Sequence, residues 1–158
     1  VSWRALKVQF RSHEIERRYR AIAHGDVRDQ RFESVLVPDR GDGLRGTQQA
    51  RKRVPEGAGK RAITHVRRVK ALKGATLVEC QLETGRTHQI RIHLAEAGHP
   101  LLGEKQYLRD FKATLIPSPR LALHAAVLGL NHPRTRRPMR WENPIPDDFQ
   151  TIIDGLEP

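Results

Sequence analysis

The 158-residue sequence holds one cysteine, Cys80, which excludes an intramolecular disulfide and any cysteine-rich metal site, and fits a reducing compartment such as the cytoplasm. Aromatic residues are scarce. Four Phe, two Trp and two Tyr are too few for an RRM-type sheet that stacks successive bases. No stretch approaches the roughly 20 apolar residues that cross a bilayer, so no membrane partner is expected. The start, Val1-Ser2-Trp3-Arg4, lacks both an initiator Met and an apolar signal core, and reads as a segment cut from something longer. Acidic residues are the other shortage: 18 Asp plus Glu face 29 Lys plus Arg, a net charge of +11. An excess of that size in a small domain points to a polyanion, nucleic acid first, although surplus arginine can also serve solubility alone.

What is present reads as one domain over residues 1–158, without repeats. Leu6 and Phe10, four apart, suggest the end of a short helix before Ser12. From Glu16 the pattern alternates, with Tyr19, Ala21 and Ala23 on one side and Arg18, Arg20 and Ile22 on the other, until Gly25-Asp26 stops the strand. Phe32 to Val37 is a second short strand, ended by Pro38. Asp39 to Lys60 carries five glycines and no periodicity, and is the segment expected to be mobile. Ala62, Thr64 and Val66 alternate in the next strand, and Val78, Cys80 and Leu82 in the one after. Lys73-Gly74 between them predicts an antiparallel pair. Ile90, Leu94 and Ala97 line one helix face, closed by Gly98 and Pro100. Leu121 to Leu130 is apolar and expected to be fully buried. His132 to Pro138 forms a turn into Met139-Arg140-Trp141, and Pro146-Asp147-Asp148 opens a last helix that buries Phe149, Ile152 and Ile153. Short strands with a few short helices give an α+β fold with a mixed, mostly antiparallel sheet.

The stretch richest in chemistry runs from Leu82 to Leu94. A strand ends at Gly85, which permits a tight turn, and a helix starts at once. Arg86, Thr87, His88 and Gln89 therefore cluster where free backbone N–H groups favour anions. An arginine fixed there can fork onto a carboxylate or phosphate. Arg91 lies off the Ile90/Leu94 face and is a candidate to reach outward. A plain structural role, with Thr87 as helix cap and Arg86 in a surface ion pair, fits any one of these residues but not the cluster together. Histidines 88, 93 and 99 are spaced by five and six, which puts them on different helix faces, so no metal site is expected. His13-Glu14 lacks the second histidine of a zinc-protease helix at Arg17. Cys80, alternating with Val78 and Leu82, reads as a buried small hydrophobe.

The run from Leu82 to Gly103, closed by Gly98-His99-Pro100-Leu101-Leu102-Gly103, resembles the C-terminal signature of RluA-type RNA pseudouridine synthases. Arg17-Arg18-Tyr19-Arg20-Ala21 with His24-Gly25 is similar to that family's tyrosine strand. Gly59-Lys60-Arg61-Ala62-Ile63-Thr64 resembles its glycine–lysine–alanine–threonine strand. Leu123-His124-Ala125, Asn131-His132-Pro133 and Pro144 to Phe149 resemble its C-terminal end.

The resemblance implies part of a pseudouridine synthase fold and isomerisation of uridine to pseudouridine in ribosomal or transfer RNA, by a monomer without metal or organic cofactor. The target nucleotide must leave its stack, at a cost of about a few kcal/mol. By the family pattern Arg86 pairs with the catalytic aspartate and Tyr19 contacts the flipped base, while Thr87, His88, Gln89 and Arg91 are candidate RNA contacts. The family's aspartate lies in a His-Arg-Leu-Asp segment, and no Arg-Leu-Asp occurs in these 158 residues. The chain is accordingly expected to be an amino-terminally truncated catalytic domain, inactive by itself and poorly soluble or partly unfolded. The alternative is a non-catalytic RNA-binding module derived from such an enzyme. The expected outcome with RNA labelled at uridine C5 is no release of that hydrogen by this polypeptide.

Overall fold

In a computed structural model of the chain, which describes residues 2–12, 14–48 and 57–158, the alternating segments assemble into one seven-stranded sheet. Helix α1 (Ser2–Arg11) precedes strands β1 (Glu16–His24), β2 (Gln30–Val37), β3 (Gly46–Thr47), β4 (Lys60–Leu72) and β5 (Ala75–Leu82). Helix α2 (Gln89–Glu96), strands β6 (Leu123–Asn131) and β7 (Pro138–Glu142), and helix α3 (Asp147–Gly155) follow. The strand order is β3-β2-β4-β5-β1-β6-β7, and every pairing is antiparallel. The α+β expectation holds, with a sheet more uniform than the mixed one anticipated. No helix among the described residues is long and apolar enough to cross a membrane.

Alternation explains the layering. Tyr19, Ala21 and Ala23 face α2, where Val66, Val78, Cys80 and Leu82 meet Ile90 and Leu94. Ile22, Leu72 and Leu77 point the other way, onto Phe149, Ile152 and Ile153 of α3. Each Val, Leu, Ile or Phe side chain among them contributes about 1.5–3 kcal/mol by leaving water. The β4–β5 hairpin turns at Lys73-Gly74 as its sequence predicts, with Gly74 at φ +67° where a side chain would be strained. Cys80 is fully buried in this core, and burial pushes its thiol up to about 12.

Three expectations need correction. Strand β6 is not fully buried: it has β7 as a neighbour at the sheet edge, and Leu128 and Trp141, paired across the two strands, stay exposed. Ala97 is exposed just beyond α2, whose buried face runs through Ile90, Ile92, His93 and Leu94 instead. The start of the Asp39–Lys60 loop is tied down. Asp39 accepts hydrogen bonds from the backbone N–H groups of Gly41 and Gly43. Buried Arg40 reaches Asp42 and, at 3.2 Å, Glu96. Glu96 also accepts from Thr47, and the pair β2–β3 closes the turn. These contacts span residues 56 apart and leave no periodic trace in the sequence. Residues 49–56 of the loop, and His13 of the His13-Glu14 pair, lie outside the described residues.

His93 shows how firmly α2 is seated. Its ring, 4% exposed and stacked with Phe32, shares hydrogen bonds with Thr64 Oγ1 at 2.9 Å and Ser34 Oγ at 2.8 Å. Burial holds the imidazole neutral, pushing its pKa from 6.5 down to about 4, with nearby Glu96 pulling weakly the other way. The unfolded chain takes up a proton below pH 6.5 that the folded chain refuses until about pH 4. The resulting stabilisation is therefore complete above the upper value and disappears as pH falls through the lower one, an effect of about 3 kcal/mol. Urea melts across that window should show stability falling with acidification, and His93→Gln should flatten the slope.

Candidate functional site

The loop from β5 into α2 is built around one side chain. Strand β5 ends at Leu82, and the chain turns through Thr84 and Gly85 before α2 begins at Gln89. The Gln89 carboxamide is 2% exposed and folds back over this turn. Its Oε1 accepts from the Arg86 N–H at 3.1 Å and the Thr84 hydroxyl at 2.8 Å. Its Nε2 donates to the Ile63 carbonyl and to Thr64 Oγ1, both at 2.9 Å. Thr84 Oγ1 in turn accepts from the Ile63 N–H at 2.8 Å. The turn is thus bolted to β4 by side-chain amide and hydroxyl groups, and all four sites on the Gln89 amide are occupied.

This frame fixes Arg86. Its backbone is held by Gln89, and its Nε donates to the Arg61 carbonyl at 3.0 Å. The remaining guanidinium nitrogens have no carboxylate within ion-pair distance among the described residues. Arg86 lines a cleft of about 340 Å³ with Leu36, Val37, Pro38, Arg45, Lys60 and Thr87 among its walls. Among the described residues three cations and no carboxylate line it, so this wall favours an anion.

The other predicted residues divide into two groups. Thr87 is exposed at the cleft wall. It is not the helix cap: His88 occupies that position in a left-handed conformation, φ 58°, with no side-chain cap. His88 Nδ1 shares a hydrogen bond with the Tyr107 hydroxyl at 2.7 Å, and burial together with nearby Arg91 lowers its pKa. His88 borders a second hollow of about 490 Å³ that also contains Lys105 and Arg120. Gln89 and Arg91 are engaged within the protein. Arg91 forks onto Glu104, with Nε and Nη2 each 2.7 Å from a carboxylate oxygen, and lies over the Tyr107 ring. Glu104 is held below the usual carboxylate range by Arg91 and by backbone N–H groups, against the opposing effect of its own burial.

Tyr19 is half-buried on β1, between Cys80 of β5 and Ala125 of β6, and packs on the core facing α2. Two residues before it on β1, another side chain reaches the turn. Arg17, 8% exposed, donates from Nη2 to the Glu83 carbonyl at 3.0 Å. Its guanidinium lies against Gly85, and any side chain at residue 85 would run into it. The only sequence signal for this contact was the glycine itself, read earlier as a turn residue.

The profile of the family described as RNA pseudouridylate synthase matches residues 1–96. The ribosomal large subunit pseudouridine synthase D of Zymomonas mobilis is 43% identical over 156 residues, covering 96% of this chain and 48% of that protein. The synonymous protein of Pseudomonas aeruginosa is 37% identical over 161 residues, with 96% and 48% covered, and the uncharacterized RNA pseudouridine synthase YlyB of Bacillus subtilis is 36% identical over 158. The chain spans about half the length of these curated relatives. Among solved structures, human RNA pseudouridylate synthase domain containing 4 superposes with a TM-score of 0.69 at 23% identity, over 93% of this chain and 64% of that one.

Removing the amide that builds the turn should be costly. Gln89→Leu leaves the Arg86 N–H without this partner and the Ile63 carbonyl with only its 3.3 Å bond from the Glu83 N–H, and each unmet buried group costs about 1–3 kcal/mol. A loss of roughly 2–4 kcal/mol is expected in denaturant melts, with the Arg86 amide exchanging its hydrogen faster.

Proposed function

Because this chain belongs to the RNA pseudouridylate synthase family, we propose that it forms the uridine-holding part of a pseudouridine synthase acting on ribosomal RNA in the cytoplasm. The observation that carries the reading is Arg86: an arginine locked at a turn, facing a cleft whose charged walls are all cationic among the described residues, with no carboxylate partner among them. That is the geometry required by a group that pairs with a reacting aspartate and lies beside an RNA strand. The ribosomal substrate rests on relatives named for the large ribosomal subunit. Transfer RNA, admitted by the sequence alone, has no comparable support.

In the proposed reaction the bond from ribose to uracil N1 breaks, the base turns, and C5 joins the ribose. C5 gives up a proton and N1 gains one, so the change is an isomerisation and calls for no redox partner. An aspartate starts the reaction, and Arg86 holds its carboxylate in place. The strength of that pair is set by geometry, because desolvation of both ions offsets much of their attraction. Tyr19, at the other side of the turn, supports the flipped base. Thr87 and His88, exposed between the two hollows, contact the strand, whereas Gln89 and Arg91 shape the site from within. The whole of residues 1–158 serves as one domain in this reading.

Pseudouridine formation in unmodified large-subunit RNA tests the proposal, using the chain alone and the chain joined to the half of the Zymomonas mobilis relative that it does not cover. Formation by the joined protein, lost on Arg86→Ala with RNA affinity reduced only a few-fold, is the expected result. RNA binding without turnover in the joined protein would favour the non-catalytic module. Affinity should also fall steeply with salt, as released counterions require.

A further inference from the structure

Arg17 is a buried arginine that the roles assigned above leave unused. It is 8% exposed, yet no carboxylate lies within ion-pair distance of it among the described residues. Nη2 is bonded to the Glu83 carbonyl, whereas Nε is buried and has no hydrogen-bond partner. The Glu83 carboxylate, on the residue whose carbonyl Arg17 holds, is turned to His65 at 2.5 Å. Glu16, one residue away on the opposite face, is held by Arg18 and Arg140. The Phe10 ring lies 5.6 Å from the guanidinium carbon, a contact that shields the cation without neutralising it.

A buried charge left in this state costs far more than an exposed one unless something pairs with it. Burial, the largest influence, and the nearby positive charge of Arg86 both lower the Arg17 pKa, with Tyr19 acting in the other direction. Two guanidiniums therefore share one turn, Arg17 reaching it from β1 and Arg86 lying within it. Gly85 permits it, since the Arg17 side chain occupies the space a Cβ would fill.

We infer that Arg17 and Arg86 together form a two-cation seat for a single anionic group, with Arg17 a positioning residue that supplies its free Nε–H from beneath the Gly85 turn. The anion is an oxyanion, either a carboxylate or a phosphate of the RNA strand. Arg86 offers its fork from the cleft side, and Arg17 adds a donor that is already desolvated and already oriented by Glu83. The identity of the physiological occupant rests on the synthase reading. Occupancy of the seat does not, because it can be measured without RNA.

The test is nitrogen-edited proton NMR of the arginine Nε–Hε groups in the folded chain. Sodium phosphate and sodium acetate are titrated separately, against sodium chloride at matched ionic strength. The Arg17 signal is the one missing from the spectrum of Arg17→Lys, whose circular dichroism reports whether the fold is kept. The expected result is a saturable shift of that signal, with the apparent affinity weakened about tenfold or more by Arg86→Gln, as loss of a charged hydrogen-bond donor implies. Saturation by phosphate alone assigns the seat to the RNA backbone, and saturation by acetate as well assigns it to a carboxylate; both support the seat. A response no greater than that to chloride overturns it, as does a response that Arg86→Gln leaves unchanged. An intact anion response in a joined protein that makes no pseudouridine would instead count against the proposed reaction alone.

Discussion

The Gln89 carboxamide joins the end of β5, the start of α2 and the middle of β4 through four hydrogen bonds, and the candidate site rests on that joint. Its partners lie on the turn and on the strand beneath it: a backbone N–H at Arg86, a carbonyl at Ile63 and two threonine hydroxyls. Satisfying them in one move makes the turn rigid without an α-helical cap of the ordinary side-chain kind. The network continues from Thr64 to His93 and on to Ser34, so a continuous line of hydrogen bonds ties α2 to β4 and β2. Arg86 is oriented by this scaffold. The cation facing the cleft is set by neutral groups that do not change with pH near neutrality.

The net charge of +11 is unevenly compensated. Glu79 gathers Arg18, Arg20 and Arg67 on one face of the sheet. Glu33 lies between Arg31 and Arg61, Glu104 holds Arg91, and Asp42 with Glu96 holds Arg40. The exposed pairs among these are individually worth little, about 0–1 kcal/mol, whereas Arg40 and the Arg91–Glu104 pair are buried. Their effect is to remove cations from the unpaired pool. Among the described residues that no ion pair neutralises, Arg17 and Arg86 meet at one turn, with Arg45 and Lys60 in the cleft beside them. That group of cations gives the cleft a positive local field, which suits a polyanion.

Much of the architecture was legible because it depends on short-range rules. The Lys73-Gly74 turn specified the β4–β5 hairpin, and Phe149, Ile152 and Ile153 specified the buried face of α3. The Arg86 turn was legible from Gly85 and the polar cluster after it. Three features were not. Gln89 looked like a surface contact because a polar residue at a helix start usually is one, and its burial follows from threonines 25 and 5 residues away. Arg17 looked like one more basic residue in an alternating strand. The apolar run at β6 suggested full burial, but hydrophobicity does not say whether a sheet edge is covered.

By itself, then, the sequence determined the α+β class, the positions of the hairpin and of helices α2 and α3, and the family resemblance at the Leu82–Leu94 run, since periodicity, turn chemistry and motif order are properties of neighbouring residues. Only the tertiary structure decided which arginines are neutralised and which are left bare. Arg91 and Arg40 lost their availability to Glu104 and Glu96, whereas Arg17 reached the Gly85 turn, and Arg86 within it, from a strand distant in the chain. The reason is physical: an ion pair is fixed by distances of a few ångströms in space, and the order of residues along a strand does not encode them.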